Sequence, residues 1–252
     1  MDDRKERATK TETAYRLLRR DILAARLMPG TALKLNMLGE AYGVGWTPLR
    51  EALSRLEAER LVTAVSNRGF AVAPVSRREL EDLSRARLVV EVPLLLESVE
   101  KGGSDWEAAV VTTHYRLSRC RTALEDPSDA AIDAWDECHE AFHAALLGAA
   151  EPGWLMRFRA TVSDQLRRHH RALSLTPAMR AAAGQKDASE DAMAALHEAQ
   201  SILSHTALME AALDRDLDRA GRLMRDHIGF TLDVYARTEE GGLGDTARPA
   251  AE

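Results

Sequence analysis

The stretch VGWTPLREALSRLEAERLVTAVSNRGFAV, Val44 to Val72, changes period part-way, and that change decides the fold of the first third of the chain. From Pro48 to about Arg60 the apolar residues Leu49, Ala52, Leu53 and Leu56 recur at helical spacing. Thr47 is placed to cap this helix and Pro48 to occupy its first position, where a missing N–H costs least. Beyond it, LVTAV and FAVAP are short β-prone runs separated by SNRG, a compact turn signal. A helix followed at once by a small hairpin makes a candidate reader of double-stranded DNA, with the helix in a groove and the hairpin beside it.

Working outward, Ala14, Leu17, Leu18, Ile22 and Leu23 predict a helix over Thr11–Arg26, which MPG at 28–30 should end. A short helix is expected from about Asn36 to Tyr42, with GVG at 43–45 as the next turn. Three helices and a hairpin in residues 11–75 outline a winged helix-turn-helix. From Ser76 to residue 236 the pattern is helical, broken at KGGS (101–104), EDPSD (125–129), GAAEPG (148–153) and LTPAM (175–179). The fold class expected is mostly α: the winged helix, then an all-α bundle of about six helices. Residues 237–252 are expected to be a disordered tail.

Composition agrees with a folded, water-soluble protein: of 252 residues, 45% are hydrophobic and 29% charged. Residues 1–75 hold 13 Lys or Arg against 9 Asp or Glu, net +4; the other 21 and 31 give net −10. A basic segment on an acidic body suits a part that meets a polyanion. The only two cysteines, Cys120 and Cys138, match no metal-finger spacing and favour a reducing, cytoplasmic setting. The longest apolar run, LVVEVPLLLESV, contains Glu91 and Pro93, so no membrane span is expected.

At the start of the third helix Trp46, Thr47, Arg50, Ser54 and Arg55 are the candidate DNA contacts, with Arg50 able to grip a guanine through two hydrogen bonds. Asn67 and Arg68 at the hairpin tip would lie over the adjacent backbone or minor groove, and Gly69 permits the tight turn. The run TPLREALSRLEAERLV…NRGFAV resembles the DNA-binding signature of the GntR family of bacterial transcription regulators, and ILAARLMPGTALKLNMLGEAYGVG resembles the segment preceding it. Members of that family commonly carry Ser-Arg before TP, the Arg touching the operator. Here those positions are Gly45 and Trp46, and Trp cannot replace a two-pronged guanidinium. Trp46 either packs on its own domain, stacks on sugar or a thymine methyl, or changes the operator that is read.

The second constellation is made of histidines. His139 and His143 in WDECHEAFHAAL are four residues apart and share a helix face with Asp136; His205 and His227 each lie among apolar residues of later helices. Imidazoles converging from several helices would hold a divalent ion such as Zn²⁺, Ni²⁺ or Mn²⁺. RARLVVE, FHAAL and SHTALMEAALDRDLDRAGRLMRDHI resemble the FCD ligand-binding domain of the FadR branch of GntR regulators. Many of its members bind a metal through an Asp, the histidine of FH and two histidines of the last helices. The resemblance carries the three histidines onto His143, His205 and His227 and puts His139 at the Asp position, giving four imidazoles, or three with His139 turned away. Asp136 is the alternative ligand or an acceptor fixing a tautomer, and His197 is expected outside the ligand set.

Arg87 and Glu91 match the RxxxE of that domain's first helix, where the family's Arg often faces the effector and can clamp a carboxylate. Among Arg157, Arg159, Arg167 and Arg168, one is expected to point into the same pocket. GGSDWEAAV and WDECHEAFHAAL are most similar to the carbon-starvation regulators that respond to glutarate-type dicarboxylates, over about Tyr15 to Ile228. The function expected is a homodimeric repressor that binds a palindromic operator and is released by a small organic acid. The rival class, a metal-dependent hydrolase or oxygenase on a helical bundle, lacks HExxH, the Glu-x-x-His pairs of di-iron bundles and G-x-S-x-G.

Overall fold

The computed structural model describes residues 2–65, 69–151, 153–175 and 190–240. The chain divides into two compact units: Met1–Arg77 with Asp164–Leu173, and Arg78–Ser163 with the described residues from Ser174 onward.

In the first unit, α1 (Asp2–Leu23), α2 (Leu35–Tyr42) and α3 (Trp46–Ala58) pack with a three-stranded antiparallel sheet of β1 (Ala32–Leu33), β2 (Val62–Val65) and β3 (Gly69–Val72), in the order β1-β3-β2. The hairpin pairs Val62 with Val72 and Val65 with Gly69. β1 has no counterpart in the sequence reading, because two residues are too few to display a period. Leu18, Ile22, Leu49, Leu53 and Leu56 are fully buried in the shared core. Each contributes roughly 1.5–3 kcal/mol by leaving water.

α1 begins at Asp2, ahead of the expected Thr11, and two further helix ends differ from expectation. α1 stops at Leu23 rather than Arg26, because Ala25 takes a left-handed conformation (φ 53°) and the Asp21 carbonyl accepts the N–H groups of Arg26 and Leu27. α3 is capped by Gly45, not Thr47, so Trp46 is its first residue and Pro48 its third. Pro48 still falls among the first four residues, whose N–H groups have no intrahelical partner.

The residues 164–173 complete this unit. Gln165 donates from Nε2 to the Glu59 carbonyl at 2.9 Å, and Arg168, 1% exposed, donates from Nη1 to the carbonyls of Ala73 at 2.5 Å and Pro74 at 3.1 Å.

In the second unit the described helices are α4 (Arg77–Lys101), α5 (Ser104–Arg119), α6 (Asp129–Leu146), the first part of α7 (Trp154–His169), α8 (Glu190–Ala199), α9 (Ile202–Leu213) and α10 (Leu217–Glu240); from Asp164 α7 belongs to the first unit, and it continues as a π-helical turn, His170–Leu175. Leu94, Leu95, Val110, Phe142, Leu146, Leu208 and Met224 form its core. Pro93 lies inside α4, where it removes one intrahelical donor without ending the helix. Ser128 caps α6 by accepting from Ala131 N, and Ser201 caps α9 by accepting from Leu203 N. The break that separates α9 from α10 turns on Arg215 at φ 60°, a signal absent from the Gly and Pro pattern. α10 runs to Glu240, past the expected start of the tail; residues 241–252 and the expected break at LTPAM lie largely outside the described residues. No helix among the described residues is long and apolar enough to cross a membrane.

Candidate functional site

Within the second unit, α6 supplies His139 and His143, α9 supplies His205 and α10 supplies His227. One potential ligand atom from each lies within 4.8 Å of all the others. The ring centroids of His139 and His143 are 4.5 Å apart, those of His143 and His227 4.8 Å, and those of His205 and His227 4.7 Å. Helical spacing alone sets the first pair; the other two arrive through packing of α9 and α10 onto α6. Trp135 stacks on His139 at 4.6 Å, holding that ring from the side away from His143's turn.

His143, His205 and His227 are buried. Burial, followed by neighbouring positive charge from the other imidazoles and Arg87, pushes the proton affinity of His143 and His227 well below the usual histidine value. Burial likewise takes His205 down to about 4. At neutral pH these three rings are therefore uncharged and each presents a lone pair. His205 Nδ1 donates to the Ser201 carbonyl at 2.8 Å, which fixes the tautomer and leaves Nε2 as the free nitrogen. His205 Nε2, His143 Nδ1 and His227 Nδ1 are buried without a hydrogen-bond partner. Orphaned buried nitrogens of this kind call for a ligand, since buried polar atoms are otherwise nearly always paired. The donor set fits a divalent metal ion.

Asp136 is not part of this four-residue group, and His197 on α8 is exposed and away from it. His114, which the sequence reading passed over, packs its ring against Phe142 at 5.7 Å and shares a 2.9 Å hydrogen bond between its Nε2 and Thr206 Oγ1, one residue from His205. Nothing local marks it, because its neighbours come from α6 and α9.

Beside the histidines, Arg87 and Glu91 are 8% and 2% exposed, and Arg87 Nε donates to Glu91 Oε2 at 2.9 Å. They are a buried pair, not a solvated one on the helix surface. The positive charge of Arg87 adds to burial in lowering the proton affinity of His143, His205 and His227. Of the four arginines on α7, Arg159 is the one that joins this group: Nη1 meets Glu140 Oε1 at 2.6 Å and Nε lies 3.6 Å from Glu91 Oε1. Arg157 instead covers the Trp154 ring at 5.1 Å. Arg168 is committed to the carbonyls of Ala73 and Pro74 in the first unit; Arg167 is half-buried there.

In the first unit, Trp46, Thr47, Arg50 and Ser54 lie exposed along α3, Trp46 at 65%. Arg55 is exposed as well, but it pairs with Glu12 Oε2 at 2.8 Å and lies 3.8 Å over the Tyr15 ring, both on α1. Gly69 has φ +88°, a conformation that L side chains rarely adopt, at the turn it was expected to allow. Asn67 and Arg68 lie outside the described residues.

Residues 10–72 match the family model described as bacterial regulatory proteins, gntR family, and residues 82–230 match the FCD domain. This chain belongs to the GntR family and carries an FCD domain. The regulator is 34% identical over 227 residues to the HTH-type transcriptional repressor GlaR of Escherichia coli K12, covering 90% of this chain and 96% of that one. It is 33% identical to the HTH-type transcriptional regulator BphR of Paraburkholderia xenovorans LB400, over 88% of this chain and 84% of the other. Among solved structures, Escherichia coli McbR/YncC aligns with a TM-score of 0.64 at 20% identity, over 87% of this chain and 93% of that chain. A GntR regulator from Rhodococcus sp. RHA1 aligns with a TM-score of 0.65 at 19% identity, over 92% and 98%. At these identities the solved structures speak to fold alone. The families matched are transcription regulators, so the hydrolase or oxygenase alternative falls.

Proposed function

We propose that this regulator is a repressor whose operator affinity is set by a small carboxylate, of the glutarate type, bound beside a metal ion in the helical domain. Residues 11–75 act as the DNA reader and residues 76–236 as the effector-binding and dimerisation domain. The observation that carries this reading is the convergence of four imidazoles, three of them buried with an orphaned nitrogen, next to a buried Arg87–Glu91 pair. The repressor assignment follows a relative's description as a transcriptional repressor.

His139, His143, His205 and His227 would hold the ion. An all-nitrogen set suits Zn²⁺ or Ni²⁺ better than Mn²⁺, which prefers oxygen. When bound, the ion supplies two positive charges and Lewis acidity, with no carboxylate among its protein ligands to offset them, so an anionic effector is favoured. Arg87 provides the fork for one carboxylate group of that effector. On DNA, Arg50 reads a base edge while Trp46, Thr47 and Ser54 meet the groove wall; Arg55, held against α1, braces the helix and reaches only the backbone rim. Asn67, Arg68 and Gly69 are the residues assigned to the flanking backbone. Two such heads in a homodimer would take the half-sites of a palindrome.

The test begins by selecting DNA that binds the full-length protein from a random-sequence pool. Affinity for the enriched sequence should fall with added salt, and glutarate should release the DNA only from metal-loaded protein. Failure to enrich any sequence ends the reader assignment; release by no C4 to C6 acid ends the effector assignment.

A further inference from the structure

Arg159 on α7 is 7% exposed, yet its Nε and Nη2 have no hydrogen-bond acceptor. These two nitrogens form one edge of the guanidinium, the edge that presents two parallel N–H groups to a carboxylate. Glu91 Oε1 stands 3.6 Å from Nε, close enough to balance charge and too far to accept a good hydrogen bond. Only Nη1 is satisfied, by Glu140 Oε1 at 2.6 Å. An unpaired two-pronged edge on a buried arginine is costly to keep and calls for a ligand.

The two carboxylates that hold Arg159 differ. Glu91 has a side chain 3% exposed and its other oxygen accepts from Arg87 Nε, so it stays. Glu140 has a side chain 45% exposed, follows His139 directly on α6, and accepts from Ser163 Oγ at 2.8 Å. It can move into water at little desolvation cost. With Glu140 turned out, the group retains Arg87, Arg159 and the two charges of a metal ion against Glu91 alone, a net +3 (1 + 1 + 2 − 1). A dianion offsets that charge better than a monoanion does.

We propose that Arg159 binds the second carboxylate group of the effector through its free Nε–Nη2 edge and so selects dicarboxylates over monocarboxylates, and that Glu140, held on Nη1, is an electrostatic competitor that offsets the charge of Arg159 until the effector binds. This rests on the carboxylate reading above. The Arg87 end takes the carboxylate nearer the histidines, and the free edge of Arg159 takes the far one.

The test uses full-length, metal-loaded protein titrated calorimetrically with glutarate and with pentanoate, a chain of equal length that lacks the second carboxylate. Wild type is expected to prefer glutarate. Arg159→Met should weaken glutarate by roughly 10- to 100-fold, the span of a charged hydrogen-bonding contact, with pentanoate and metal content unchanged. Arg159→Lys, which keeps the charge and loses the fork, should fall between, and carries the test if the Met variant does not fold. Glu140→Gln should tighten glutarate several-fold. Glutarate binding by both Arg159 variants at wild-type strength overturns the inference while leaving the carboxylate reading intact. An unchanged or weakened Glu140→Gln removes the competitor role. Wild type that binds neither acid removes the carboxylate reading, and this inference with it.

Discussion

Arg50 and Trp46 stand one helical turn apart on the exposed face of α3, and their surroundings separate what each can do. Arg50 has no partner among the described residues that would have to be broken before it reaches a base. Arg50→Ala should therefore cost about 1–3 kcal/mol of specific operator affinity with the melting temperature unchanged. Gel-shift titration of the selected sequence measures this, and equal affinity would take Arg50 out of the reading set. The exposure of Trp46 was decided only by the structure, since position 46 borders the apolar stripe of Leu49, Leu53 and Leu56; that of Arg50, farther round the helix, was legible in the sequence. The engagement of Arg55 was not: Glu12 and Tyr15 lie about forty residues away, and no periodicity reports a contact at that separation.

Individual elements show the same division. KGGS was legible as the break between α4 and α5, yet which glycine is required is a tertiary matter. A Cβ on Gly102 would sit 2.3 Å from Trp106 Cε3 and 2.7 Å from the Ser98 carbonyl, whereas one on Gly103 would meet nothing within 4 Å. Trp106 cannot give way freely, because it is 7% exposed and its Nε1 donates to the Leu146 carbonyl at 3.2 Å. Gly102→Ala is expected to destabilise by roughly 1–3 kcal/mol, as overpacking does, and Gly103→Ala to be close to neutral. Paired urea melts decide it; equal midpoints for the two variants would show that the Trp106 contact yields.

At the scale of the whole molecule, the proposed metal ion would compete with protons for one set of nitrogens. His205 has an ordinary affinity near 6.5 when unfolded and about 4 when folded. Between those values the unfolded chain binds the proton and the folded chain does not, so stability falls as pH drops through that window. His205 alone accounts for about 3 kcal/mol across it, and His143 and His227 act in the same direction. Metal-stripped protein should therefore lose denaturant resistance steadily from pH 6.5 towards 4, and at pH 7.5 added Zn²⁺ should raise the melting temperature with a logarithmic dependence on concentration. A flat pH profile would contradict the burial of neutral imidazoles; no response to Zn²⁺, Ni²⁺ or Mn²⁺ would remove the metal.

The sequence by itself determined the winged helix, the helical second part and the identity of the four histidines, because each rests on spacing within one element or on resemblance over most of the chain. It left four α7 arginines as equals. Only the tertiary structure sent Arg168 to the carbonyls of Ala73 and Pro74 and Arg159 to Glu140 and Glu91. The physical reason is that helical period states which residues share a face, whereas burial and charge pairing depend on what packs against that face. Such partners come from elements dozens of residues away in the chain.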